Sequence, residues 1–292
     1  MNRATDMPVI LGGHSFIAQL GNDPLASKEE QRRIVESCLG HGIRWFDTTY
    51  QPERVALGKL LEELGRHDEA RILAWNFFKA FSPGDPVGEP ECYAPQHIEI
   101  ILEELRTSYV DGLVMVPLDN LEENQRQEEL LVGWQKRGYV RSLGLWVSDP
   151  LLIEHYRSQN PFQFAIRPCN ITTQDAPPIF AACKRSGWET LATSPFGRGW
   201  ELDRQIAQAA LRGYGNAESL RPVLADLMLR YSLFQSNVDR VIVAMRNSKW
   251  VSCNVASAFR GPLTAEELRW LKELCAVRIK KHQLWERIRR WF

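Results

Sequence analysis

The chain has 292 residues, enough to bury most of its extended surface without disulfide staples and close to the size of one α/β barrel. Lys plus Arg and Asp plus Glu number 36 each, so the formal net charge is zero, which argues against a nucleic-acid binder built on phosphate contacts. The six cysteines form no Cys-x-x-Cys pair and no zinc-type spacing, and no apolar run approaches the ~20 residues that cross a bilayer. A reduced cytoplasmic protein without a metal site, a leader or a membrane span is therefore expected.

Short β-branched or aromatic runs alternate with longer helical patterns. Val9 to Leu11 is the first candidate strand, and Gly12-Gly13-His14-Ser15 follows it. His14 has two readings, a group facing a site at that strand end or a solvated loop histidine. A helix is predicted from Ser27 to Leu39. Ser27 and Glu30 make an S-x-x-E capping box, and Ile34, Val35, Cys38 and Leu39 repeat at helical spacing. Ile43 to Thr48 and Arg71 to Asn76 read as strands on either side of a helix over Arg54 to Leu64. The loop Ser82 to Tyr93 is rich in Pro, Gly and acids and reads as a lid or as a solvated connection.

The second half continues the alternation. Helices are predicted over Pro95 to Ser108, Leu121 to Arg137, Pro150 to Ser158, Ala176 to Ser186 and Leu220 to Gln235. Strands are predicted over Gly112 to Pro117, Arg141 to Val147, Gln163 to Cys169, Glu189 to Pro195 and Val241 to Met245. A second box, Thr264-x-x-Glu267, opens a C-terminal helical extension over about 264–292 that ends in a basic, aromatic tail. The tail reads as a docking segment for acidic partners or, more plainly, as the solvated face of a helix packed through Leu268, Leu271, Leu274 and Val277. Eight strands with helical crossovers and no compositional break predict one α/β domain over 1–292, a (β/α)8 TIM barrel. The rival is a doubly wound sheet, and no Gly-x-Gly-x-x-Gly turn follows an early strand to support it.

Several segments, in order, resemble the aldo-keto reductases. They are Gly42-Ile43-Arg44-Trp45-Phe46-Asp47-Thr48-Thr49 with Glu53 and Leu57-Gly58, then Ser108-Tyr109-Val110-Asp111, then Gly138-Tyr139-Val140-Arg141-Ser142-Leu143-Gly144. Ser194-Pro195-Phe196-Gly197-Arg198-Gly199 follows, and a weaker match runs through Met245-Arg246-Asn247, Asn254-Val255 and Gly261-Pro262-Leu263-Thr264. The resemblance implies a barrel that reduces carbonyl compounds with NADP(H), using Asp, Tyr, Lys and His together. A phenol with an ordinary pKa near ~10 must be shifted to donate a proton at neutral pH, and the Lys and Asp do this.

Carried over position by position, the resemblance assigns the Asp to Asp47 and the Tyr to Tyr50. It puts Asn76 where the Lys stands and Val116 where the His stands. Lys79 and His14 are the nearby groups considered as substitutes, and Trp75 and Trp146 sit at the expected rim. On the cofactor side the implied positions are Trp146, Asn170, Ser194, Phe196, Gly197, Arg198, Arg246 and Asn254. Here too the pattern departs: the pair that holds the nicotinamide amide reads Trp146-Val147, and Trp250 stands where an adenosine-phosphate contact is implied. Two functions follow. One is an NAD(P)H-dependent carbonyl oxidoreductase with a rebuilt or degraded site; the alternative is a non-reductase pseudoenzyme, a ligand- or partner-binding barrel that has lost nicotinamide binding.

Overall fold

The computed structural model describes residues 7–18, 24–79, 88–157, 161–173, 175–197 and 199–275. Eight parallel strands close into a barrel in sequence order, each paired with its chain neighbours, and β1 pairs with β8. The strands are β1 (Val9–Leu11), β2 (Trp45–Thr48), β3 (Arg71–Trp75), β4 (Val110–Met115), β5 (Val140–Trp146), β6 (Phe164–Pro168), β7 (Glu189–Thr193) and β8 (Arg240–Val243). All eight strands read from the sequence are present. Around them lie α1 (Lys28–Gly40), α2 (Gln51–Leu64), α3 (His97–Leu105), α4 (Leu121–Lys136), α5 (Pro150–Arg157), α6 (Ala176–Arg185), α7 (Gly199–Leu211), α8 (Ala217–Leu233) and α9 (Ser248–Arg260). Residues 265–275 form a further helix, α10. The basic tail beyond it lies outside the described residues.

Two helices were missed in the sequence. α7 buries Leu202, Ile206 and Ala209 on one stripe, at a spacing that announces a helix. α9 carries Ser, Cys and Asn in its body and buries only Val251, Asn254, Val255 and Ser257, so its periodic signal is thin.

Strand side chains alternate between two cores. Val9, Leu11, Phe46, Ala74, Leu113, Leu143 and Leu145 point out into a large apolar layer shared with the helices. Ile10, Trp45, Leu73, Trp75, Val114, Phe164, Ile166, Leu191 and Ile242 fill the barrel interior. A Cβ added at Gly144 would lie 2.0 Å from the Phe164 ring, and one at Gly112 would lie 3.0 Å from it. These two glycines make room for the phenyl group of Phe164 beside β5 and β4.

The foot of the barrel, where strands begin, is held by ion pairs. Arg240 Nε lies 2.8 Å from Glu189 Oε1, and the guanidinium groups of Arg71 and Arg240 flank the Trp45 ring at 5.7 and 5.6 Å. Arg141 Nη1 donates to Asp111 Oδ1 at 3.0 Å. Asp239 accepts bonds from the Lys184 ammonium and from the Thr190 amide and hydroxyl.

Both capping boxes begin as expected, and they finish differently. Glu30 N donates to Ser27 Oγ at 3.2 Å, and Glu267 N donates to Thr264 Oγ1 at 3.1 Å. Glu267 returns its carboxylate to Thr264 N. Glu30 instead reaches to the neighbouring helix, and its Oε1 accepts the amide of Ser248, the first residue of α9, at 2.6 Å.

Candidate active site

Barrel chemistry is assembled at the C-terminal ends of the strands, the mouth, because loops there can vary while the strands hold. Asp47 is the inward residue near the end of β2, and its side chain is buried. The group that meets it is the indole of Trp75, whose Nε1 donates to Asp47 Oδ1 at 2.6 Å. A Gly13 amide bonds the carboxylate as well. Burial raises the Asp47 pKa to about 7; the bond from Trp75 opposes the rise, the neighbouring Glu53 charge adds to it, and His14 and Gly13 oppose it.

Asn76 does not stand beside Asp47. One residue past Trp75, it points to the opposite side of the sheet, as strand alternation requires. Its Nδ2 donates to the Glu91 and Val116 carbonyls and to Gln127 Oε1, and its Oδ1 accepts the Val116 amide at 3.0 Å. Asn76 is a strap that ties the ends of β3 and β4 to α4. The resemblance assigns Asn76 to the position of the Lys, and the residue that meets Asp47 is its neighbour Trp75. Every residue of Ile72 to Trp75 is buried, so nothing in the pattern marked the inward face. Val116 does pack with the interior cluster, half-buried, and offers no proton.

Tyr50 caps α2 and is buried, with its ring 5.8 Å from the His14 ring and 5.4 Å, edge-on, from Phe77. His14 sits in a 3-10 turn, Gly13–Phe16, directly after β1, and its Nδ1 lies 2.9 Å from Glu53 Oε1. The carboxylate of Glu53 is wholly buried, and its other oxygen accepts the amides of Thr49 and Tyr50 at 2.6 and 3.2 Å. This close approach needs glycine in the turn: a Cβ at Gly13 would fall 2.1 Å from Glu53 Oε2. The His14–Glu53 pair joins residues 39 positions apart, so sequence reading named His14 as a site candidate and Glu53 only as part of the motif after β2, without pairing them.

Lys79 is exposed and lies 3.9 Å from Glu89, so it does not substitute for a mouth cation. Arg54, fully buried on α2, donates to Glu104 and to the Thr49 and Phe77 carbonyls, which brace the loops carrying Tyr50 and Phe77 from behind. Of the loop read as a lid, residues 88–93 are strapped down: Glu91 accepts the amides of Phe78 and Lys79, and Tyr93 Oη donates to the Val114 carbonyl. Residues 82–87 lie outside the described residues.

The positions implied for the cofactor are spread along the mouth between β5 and α9. Trp146 lies edge-on to Trp75 at 5.8 Å, half-buried. Asn170 closes a tight turn, accepting from Thr172 and Thr173 and donating to the Ser194 carbonyl. Ser194 and Gly197 adopt left-handed backbones with φ of 55 and 61°, and Phe196 packs among the helices. Arg198 lies outside the described residues. Arg246 is half-buried, Asn254 is buried on α9, and Trp250 is exposed.

A cavity of about 270 Å³ opens at the foot, lined by His67, Asp68, Arg106 and Asp111 among others. Its polar groups are engaged locally: Asp111 with Arg141 and the Ile72 amide, Arg106 with Glu62, and His67 Nε2 with the Arg106 carbonyl. Among the described residues no cluster of His, Cys, Asp and Glu is arranged to hold a metal, and no helix is long and apolar enough to cross a membrane.

Solved structures share the architecture. The aldo-keto reductase AKR11C1 from Bacillus halodurans, in its holo form, superposes with a TM-score of 0.69 at 19% identity, with 91% of each chain covered. The glycerol dehydrogenase AKR11B4 from Gluconobacter oxydans superposes with a TM-score of 0.69 at 18% identity, covering 92% of this chain and 91% of that one. At these identities the likeness speaks for the fold. No curated protein sequence matches the chain. The model of the aldo/keto reductase family, whose members generally use NAD(P)H, matches residues 9–276, and the chain belongs to that family.

Proposed function

We propose that this barrel binds a small, flat, uncharged carbonyl compound at its mouth and does not run a tyrosine–lysine reduction. The observation that carries the reading is the Trp75 indole on Asp47. An ammonium there would stabilise a tyrosinate and so lower the barrier to proton donation, whereas an indole N–H is neutral and does not do so. Aromatic faces at the mouth, Trp75 with Trp146 and Tyr50 with Phe77, favour a planar ligand. Two carboxylates, Asp47 and Glu53, face a single imidazole, which disfavours an anion.

The residues present do not fit a nicotinamide dinucleotide held in the way the resemblance implies. Trp146 packs on Trp75 where a hydroxyl and an amide are implied, and Val147 is buried in the outer layer. The Asn170 amide is engaged on both sides, its Oδ1 within its own turn and its Nδ2 on the Ser194 carbonyl. At the start of α9 the Glu30 carboxylate takes the Ser248 amide, and its pKa is lowered by the backbone and side-chain bonds from Ser248. A helix N-terminus so occupied offers an incoming phosphate a negative charge. These three observations support the loss of nicotinamide binding.

The second reading, a rebuilt reductase, is favoured by the survival of Asp47 and Tyr50 together near the mouth. Titration with NADPH, followed by tryptophan quenching and calorimetry, separates the two. The expected result is no binding at millimolar NADPH and no turnover of an aldehyde panel. Tight binding with turnover that vanishes in Tyr50→Phe would establish the reductase instead.

A further inference from the structure

We propose that His14, oriented by Glu53, is a general base for cofactor-independent proton transfer at the α-carbon of an enolisable ketone or aldehyde, with Asp47 as the acid at the carbonyl oxygen. The inference rests on the reading that the mouth binds a carbonyl compound.

The geometry is that of an imidazole with a buried carboxylate behind it: His14 Nδ1 lies 2.9 Å from Glu53 Oε1, as an ion-pair contact and not an aligned hydrogen bond. Glu53 is wholly buried while the His14 side chain is 30% exposed, so the carboxylate lies behind and the ring in front. Two amides pin Glu53, and the turn at Gly13 leaves no room for it to swing forward. A carboxylate beside Nδ1 favours the tautomer with the proton on that nitrogen and the basic lone pair on Nε2. The same turn carries the Gly13 amide to Asp47, so base and acid hang from one short segment. Asp47 suits the acid role because its pKa, about 7, keeps a large fraction of the carboxyl protonated at neutral pH. Glu53 takes no part in the reduction that the resemblance implies, and this chemistry gives it a role.

The step balances without an oxidant or reductant. Nε2 takes the α-proton, the C–H electron pair becomes the C=C bond, and the carbonyl π pair moves to oxygen, which takes the proton of the Asp47 carboxyl. Return of the two protons restores the ketone, or a tautomer of it where the neighbouring carbon bears a hydroxyl. The ring pairs select an aryl-substituted member of the class, and the carboxylates select a neutral one.

The test needs no NADPH. The intact protein is mixed with 1-phenylpropan-2-one or 2-hydroxyacetophenone in D2O. Proton NMR follows loss of the α-proton signal, and saturation transfer in the same tube reports binding. Exchange well above the buffer rate is expected. It should fall on the order of 10²-fold in His14→Gln and also drop in Asp47→Asn, with saturation transfer still detected and the circular dichroism spectrum unchanged. Saturation transfer with exchange at the buffer rate overturns this inference and leaves the ligand-binding reading standing. The same holds for exchange that is indifferent to His14→Gln. Absence of saturation transfer with both probes at millimolar concentration overturns both.

Discussion

The two ends of this barrel treat a buried carboxylate in opposite ways. At the foot, Asp239 is partly buried, which would raise its pKa, but the Lys184 ammonium and the Thr190 amide outweigh that and leave it below the usual value. At the mouth, Asp47 is more deeply buried and receives an indole and a backbone amide, both neutral donors, and its pKa rises to about 7. Asp111 shows that burial is not trivially beaten: despite the Ile72 amide and the Arg141 guanidinium, its pKa stays raised. A foot that pairs its charges contributes stability; a mouth that leaves one unneutralised gives up stability for a group that can exchange a proton near neutral pH.

Three substitutions test that contrast. Asp239→Ala removes the acceptor of three bonds and strands a partly buried lysine, and it should cost about 3 kcal/mol in urea unfolding at pH 7. A cost near zero would mean the foot pairs are ornamental. Trp75→Phe removes the donor from Asp47. Its cost should be about 2 kcal/mol at pH 8, where the carboxylate is charged, and smaller at pH 5, where it is protonated. The Asp47 carboxyl resonance should then titrate at still higher pH. Asp47→Asn gives the smallest effect, and its sign depends on pH. A pKa raised from 3.8 to about 7 means that the native state binds more protons than the unfolded one between those values. Native stability from this group is therefore present below about pH 4 and lost as pH rises through 7. The variant lacks that slope, so from pH 6 to pH 8 it should gain on the wild type by roughly 1 kcal/mol. A parallel pH–stability curve for the two proteins would show that Asp47 is ionised at the mouth like an ordinary surface carboxylate.

What the sequence revealed follows the same division. Strands flanked by glycine and helices with capping boxes are local, and they were readable from short windows. Facing was not, where a strand is buried on both sides. In Ile72 to Trp75 no polar residue marks one face, so the resemblance alone assigns Asn76, while it is Trp75 that meets Asp47. Long-range pairs were hidden for a different reason. The link from Glu30 to α9 spans more than two hundred positions, and that from His14 to Glu53 spans 39. Nothing in the spacing of charges announces a partner that only barrel closure brings near. Glu30 had even been given a complete local role in its capping box, and the fold spends its carboxylate elsewhere.

The phenyl group lodged against Gly112 and Gly144 has one more consequence. A methyl group at Gly144 would fall 2.0 Å from that ring, so Gly144→Ala would have to push Phe164 out of its seat and disturb the pairing of β5 with β6.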